Sequence, residues 1–276
     1  MKRCDAVAQG LARVLTQVLT RVGLAVAVGV AVWMPIACST PPVEWGEIVY
    51  PSNPPVEQFR LMIEHEPAGA CPESFRAALA GPNIYYGAWW HVRPDSSAVL
   101  MAGRSIDGGR TWITAVPADT TDRSRRGCDR PAPAIFADTA SGYVDFAYFL
   151  EANEGPGIFF THTMDAPHMG QGQGVFHSPV AIVYGEHPSR VAVAARGDDV
   201  AVAYEDPNAE RPLIGVALSR TMGHIFKTRS DASSTDLPAV DPRVTLSGDT
   251  VTVQWSERPD SVKVGGRFAL RRGKWR

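Results

Sequence analysis

The chain has 276 residues, of which 45% are hydrophobic and 20% charged, with a formal charge of −2. That composition excludes a disordered chain and fits one or two domains with a sizeable core. It offers no basic stripe of the kind that neutralises a phosphate backbone, so nucleic acid is not an expected partner.

At the N-terminus, Lys2, Arg3, Arg13 and Arg21 precede an uncharged apolar run from Val22 to Ala37. The run is shorter than the roughly 20 residues of a membrane span and has the layout of a secretory signal. Met34-Pro35-Ile36-Ala37-Cys38 resembles a bacterial lipobox, with Pro35 where Leu is usual. The resemblance makes residues 1–37 a signal peptide and Cys38 the lipidated residue of an exported protein, anchored through that lipid to the bacterial cell envelope. A plain cleaved signal and a retained anchor are the alternatives. Ser39, rather than Asp, in the second position points to the outer membrane. The first 37 residues carry four basic residues and one acid, which leaves the remainder at −5.

Residues 38–56 hold Pro41, Pro42, Pro51, Pro54 and Pro55 and read as an extended tether. From residue 57 to 276, helical periodicity is almost absent. Short β-branched and aromatic runs broken by Gly, Asp, Asn and Pro predict a single all-β domain.

Four segments repeat one order of events, a strand, a tight turn and a second strand. They run from Phe75 to His91, Ala134 to Glu151, Arg190 to Glu205 and Arg243 to Glu257. Third strands follow at Ala98–Gly103, Gly157–Thr161, Leu213–Leu218 and Arg267–Leu270. Fourth strands are expected at Ile113–Val116, Val180–Tyr184 and Ile225–Thr228. The last repeat lacks one of its own, and Gln58–Glu64 is the expected closing strand, since pairing it there removes an exposed edge.

Between the third and fourth strands of the first repeat stands Ser105-Ile106-Asp107-Gly108-Gly109-Arg110-Thr111-Trp112. Asp107 can accept hydrogen bonds from the N–H groups just ahead of it, the glycines permit positive φ, and Trp112 offers a large face for packing. The stretch resembles the Asp box of sialidase-like β-propellers, carried by Ser105, Asp107, Gly109, Thr111 and Trp112. Degenerate copies are Ser219 to Phe226, Thr161 to Asp165 with Gly174-Val175-Phe176, and Gly273-Lys274-Trp275. The resemblance implies a small β-propeller, most simply four blades of four antiparallel strands with the last closed by an N-terminal strand. A β-sandwich or irregular β domain is the alternative.

In such a propeller the first strands line the central channel, and the Asp-box turns lie on the face opposite the ligand site. Superposing the repeats sets Arg76, Arg190 and Arg243 at the channel mouth, with Arg130 near the equivalent point of the second repeat. His91, Glu151, Glu205 and Glu257 follow at the ends of the second strands as an outer acidic ring. Sialidases hold a substrate carboxylate with three arginines, because guanidinium binds it in a bidentate way. Phe75-Arg76 matches the start of the family's Phe/Tyr-Arg-Ile-Pro stretch, but Ala77-Ala78 replaces Ile-Pro. Tyr184 with Glu186 and Tyr204 beside Glu205 stand in no identifying motif, so the family's nucleophile role is not carried over. An ion-pair network without a ligand is the competing reading of the arginines.

Cys71 and Cys128 lie on loops that lead into first strands of consecutive repeats. In an exported protein they are expected to form a disulfide, with two free thiols as the alternative. His162, His168 and His177 lack a zinc-ligand spacing, and no phosphate-binding glycine loop or nucleophile elbow is present, so no metal or cofactor is expected. The sequence thus leads to an envelope-anchored, non-catalytic binding or scaffold propeller. Its expected partners are a carbohydrate, an anionic ligand or an envelope protein. A sialidase-like glycoside hydrolase acting on acidic sugars is the alternative.

Overall fold

The computed structural model describes residues 42–52, 65–169, 176–234, 236–258 and 266–276. The signal peptide, Cys38, Gln58–Glu64 and most of the Gly/Gln-rich insertion lie outside the described residues. Within them no helix is long and apolar enough to cross a membrane.

Among the described residues, sixteen strands form four antiparallel sheets of four, the blades of a β-propeller. β1 (Val43–Val49) comes first in the chain. Blade one is β2 (Arg76–Gly81), β3 (Ile84–Val92), β4 (Ala98–Ser105) and β5 (Ile113–Asp119). Blade two is β6 (Ala134–Ala137), β7 (Val144–Ala152), β8 (Gly155–Thr163) and β9 (Val180–Tyr184). Blade three is β10 (Val191–Arg196), β11 (Asp199–Glu205), β12 (Ile214–Ser219) and β13 (Thr228–Asp231). Blade four is β14 (Ala239–Ser247), β15 (Thr250–Glu257), β16 (Arg267–Trp275) and β1, in that order across the sheet. The turns between first and second strands take their left-handed residue from Asn83, Gly142, Gly197 and Gly248, the residue types that tolerate it.

The inner strands are covered on both faces by neighbouring blades, which is why β7 and β12 read as nearly unbroken apolar runs. Trp90, Leu100, Phe146, Tyr148 and Leu150 fill the joint between blades one and two. Phe149, Ile158, Phe160, Val193 and Val202 fill the next joint, and Val216, Leu218, Val251, Val253 and Trp255 the one after it. Each such side chain contributes about 1.5–3 kcal/mol by leaving water. A polar group in the first joint illustrates how such atoms are satisfied there. The Tyr148 hydroxyl donates to Asp119 Oδ2 at 2.6 Å, tying the second strand of blade two to the end of blade one.

The ring is closed by an N-terminal strand, but that strand is Val43–Val49, within the segment read as a tether. It pairs with β16 from Val43↔Trp275 to Val49↔Leu270, and Val43 is buried against the last blade. The prolines misled because they flank the strand; none falls between Val43 and Val49, where a lost N–H would break the ladder. Two further differences concern the degenerate turns. β13 begins at Thr228 rather than Ile225, because Ile225 is exposed and Phe226 is drawn into the joint with blade two against Phe160, at 5.3 Å between ring centres. Gly273-Lys274-Trp275 is the end of β16, paired with both β1 and β15, and not a turn.

Cys71 and Cys128 form a disulfide with an S–S distance of 2.03 Å. It joins the loops leading into β2 and β6 across 57 residues of chain, which in the chain-entropy model stabilises the fold by roughly 4 kcal/mol.

Candidate functional site at the mouth of the ring

The first strands of all four blades converge on one cavity of about 340 Å³. Its wall is Arg76 and Ala77 from blade one, Ala132 to Ile135 from blade two, Arg190 to Val193 from blade three and Asp241 to Arg243 from blade four. Alanines, valines, prolines and Ile135 line it together with Arg76, Arg190, Arg243 and Asp241. The structure thus sets Arg76, Arg190 and Arg243 on the wall of one cavity.

Each arginine is held differently. Arg76 Nη1 donates to the carbonyls of Glu73 and Phe75 at 2.8 and 2.7 Å. Arg190 Nη1 donates to Asp241 Oδ1 at 2.6 Å and lies 3.7 Å from Glu205 Oε1. Arg243 follows a bulge in β14, where the register with β15 shifts between Val240 and Arg243. Asp241 within that bulge has φ +59°, a left-handed conformation uncommon for a residue with a side chain. Its N–H is fixed by Glu205 Oε1 at 3.0 Å. A bulge re-aims side chains next to a site, and here it places both Asp241 and Arg243 on the cavity wall.

The remaining candidates do not line the cavity. Arg130 is buried beside it in blade two, where it donates to Asp122 Oδ2 at 3.1 Å, Ser124 Oγ at 2.9 Å and the Gly127 carbonyl at 2.8 Å, with Trp90 5.3 Å from its guanidinium carbon. His91 pairs through Nδ1 with the Gly69 carbonyl. The expected acidic ring is instead a set of fasteners. Glu151 pairs with Arg126 at 2.5 Å, and Glu205 accepts the N–H groups of Arg190 and Asp241. Glu257 is buried and accepts Arg267 Nε, Trp255 Nε1 and the Tyr50 hydroxyl. These acids sit where the superposition puts them, but the backbone and neighbouring cations claim their oxygens.

On the opposite face, Asp107 accepts hydrogen bonds from Thr111 Oγ1, Thr111 N, Ser105 Oγ and Arg110 N. The Thr111 bonds are the main reason its carboxyl is held down at about 2, so it is a turn fastener. Ser219 Oγ caps the blade-three turn in the same way, accepting Thr221 N and Gly223 N at 3.1 Å each. In blade two Thr163 Oγ1 accepts Asp165 N, which makes Thr163 and Asp165 the counterparts of Ser105 and Asp107. Two buried groups lie near that turn. Desolvation pushes the Asp145 carboxyl up to about 7, and desolvation, then His177 and His224, lowers His162 to about 4.

No family model matches the chain, and no curated protein matches it. Among solved structures it is similar to an α-L-arabinofuranosidase from Fusarium graminearum, with 13% identity, a TM-score of 0.47 and coverage of 76% of this chain and 65% of that one. It is also similar to a thermostable family-43 glycoside hydrolase, at 14% identity and TM-score 0.41, covering 69% of this chain and 68% of that one. A Trypanosoma rangeli sialidase follows at 12% identity and TM-score 0.43, covering 76% of this chain and 33% of that one. Likeness at this level carries no argument about activity, and the four-bladed fold rests on the strand pairing itself.

Proposed function

We propose that the protein is a non-catalytic binding propeller that holds an anionic ligand, a carboxylate-bearing sugar in the first instance, at the mouth of its ring. The observation that carries this reading is the convergence of Arg76, Arg190 and Arg243, from three different blades, on one cavity. A guanidinium presents paired donors that match a carboxylate. Among the described residues Asp241 is the acid on the wall, beside these three arginines. In keeping with the sequence reading, the protein would present this mouth from a lipid anchor in the bacterial envelope.

The same wall argues against hydrolysis. Cleaving a glycosidic bond takes two carboxyl groups, or a Tyr–Glu nucleophile and an acid, across the reacting carbon. Asp241 is engaged by Arg190 and, at 3.4 Å, by Arg258. Neither Tyr184 with Glu186 nor Tyr204 with Glu205 lines the cavity. The test is saturation-transfer NMR with N-acetylneuraminate against its neutral amide, run beside a fluorogenic sialoside assay. Binding of the acid alone, without turnover, is the expected result. Turnover would replace this reading with the hydrolase, and equal response to acid and amide would remove the arginines from recognition.

A further inference from the structure

On the face away from the cavity, three histidines from two blades meet. His162 is near the end of β8, His177 lies just before β9, and His224 sits in the turn between β12 and β13. One ring nitrogen from each lies within 4.8 Å of the other two. The rings of His162 and His177 stack at 4.3 Å between centres, and His224 stands 5.0 Å from both, close to perpendicular to His162.

Hydrogen bonding sets which atoms are available. The exposed His224 Nδ1 lies 2.8 Å from the Thr221 carbonyl, which can only accept, so Nδ1 carries the proton. In the neutral ring Nε2 then presents a lone pair, 3.1 Å from His177 Nδ1. A backbone carbonyl fixing one ring nitrogen while the other points inward is the outer support that metal-bound histidines use. His177 is anchored through its main chain, with its N–H on the His162 carbonyl at 2.9 Å and its carbonyl on Thr161 Oγ1 at 2.6 Å. His162 is 2% exposed, and its Nε2 is buried without a hydrogen-bond partner. A buried polar atom left unpaired costs about 1–3 kcal/mol, so its presence calls for a partner.

We propose that His162, His177 and His224 form a binding site for a divalent transition-metal ion of the Zn(II) class, clamping blade two to blade three. Three neutral imidazoles suit Zn(II), Cu(II) or Ni(II) and do not suit Mg(II) or Ca(II), which take oxygen ligands. Zn–N bonds of about 2.0–2.1 Å at tetrahedral angles set nitrogens roughly 3.3 Å apart. The His224–His177 pair is already close to that spacing at 3.1 Å, and one nitrogen of His162 lies within 4.8 Å of both. Three protein ligands leave the fourth position to solvent. His168 is not part of the site; its Nδ1 pairs with Asp165.

The test uses tag-free full chain, stripped of metal with a chelator and titrated with Co(II), whose visible bands report tetrahedral imidazole ligation. One equivalent should bind, be displaced by Zn(II), and raise the thermal midpoint. His224→Gln, at an exposed position, should keep the fold by circular dichroism. It should also lose the bands and weaken Zn(II) by at least about 100-fold, since losing a ligand exceeds the roughly 10–100-fold cost of losing an outer partner. His168→Gln should bind as the wild type does. Absence of Co(II) bands in the wild type, or equal Zn(II) affinity in the wild type and His224→Gln, would overturn the site. Loss of binding in His168→Gln would overturn the choice of ligands.

Discussion

Asp107 stabilises its turn only as a carboxylate. Its folded pKa of about 2 lies below the ordinary 3.8, chiefly through the Thr111 hydroxyl and N–H and then Ser105. The folded state therefore binds fewer protons than the unfolded state between those values, and stability is lost as pH falls through that window. Asp107→Asn should lower the thermal midpoint at neutral pH, and the gap to wild type should narrow between about pH 4 and pH 2. A gap independent of pH would mean that the charge contributes nothing. Arg130 makes the opposite kind of point, a guanidinium that belongs to the fold rather than to the site. Its side chain and that of Asp122 are 3% and 1% exposed. Arg130→Ala leaves Asp122 as a buried charge without its cation and should cost about 3–5 kcal/mol in chemical denaturation. A loss below about 1 kcal/mol would show the pair to be solvated and dispensable.

At the scale of the element, the third-to-fourth-strand turns fasten one blade to the next. Gly223 in the blade-three turn has φ +79°, and a Cβ there would lie 1.9 Å from Phe160 Cε1 in blade two. Gly197, in an open hairpin of the same blade, has φ +58° and nothing within 4 Å of its Cβ position. Both alanine variants incur the left-handed penalty of about 1–2 kcal/mol, but only Gly223→Ala must also push apart the blade-two joint. Gly223→Ala should therefore exceed Gly197→Ala by at least about 1 kcal/mol in urea unfolding. Equal losses would show that the joint yields freely. The pairing of β1 with β16 makes the same argument about edges. The ring needs a fourth strand in blade four, and a Pro-free run of seven residues supplies it.

At the scale of the molecule, the repeats were legible because every blade obeys one rule, a pair of strands around a tight turn followed by a polar loop. That rule set the first strands, the three cavity arginines and the two cysteine loops. It did not show what each acid would be doing, since Arg126 holds Glu151, the Asp241 N–H holds Glu205, and Arg267 and the Tyr50 hydroxyl hold Glu257. Nor did it show the histidine cluster. His162, His177 and His224 are assembled from two blades across 62 positions, so no local spacing signals them, and only the packing of blade two on blade three does. The closing strand was hidden by composition, because the flanking prolines outweighed the alternation between them.

The central claim is that three blades each contribute one guanidinium to a single carboxylate. Isothermal titration of N-acetylneuraminate into the wild type and into Arg76→Ala, Arg190→Ala and Arg243→Ala tests it directly. A charge-assisted hydrogen bond is worth about 1.5–3 kcal/mol, so each variant should lose roughly 10-fold to 150-fold in affinity while keeping its thermal midpoint within a few degrees. Unchanged affinity in all three variants, or no binding to the wild type at millimolar ligand, would contradict it.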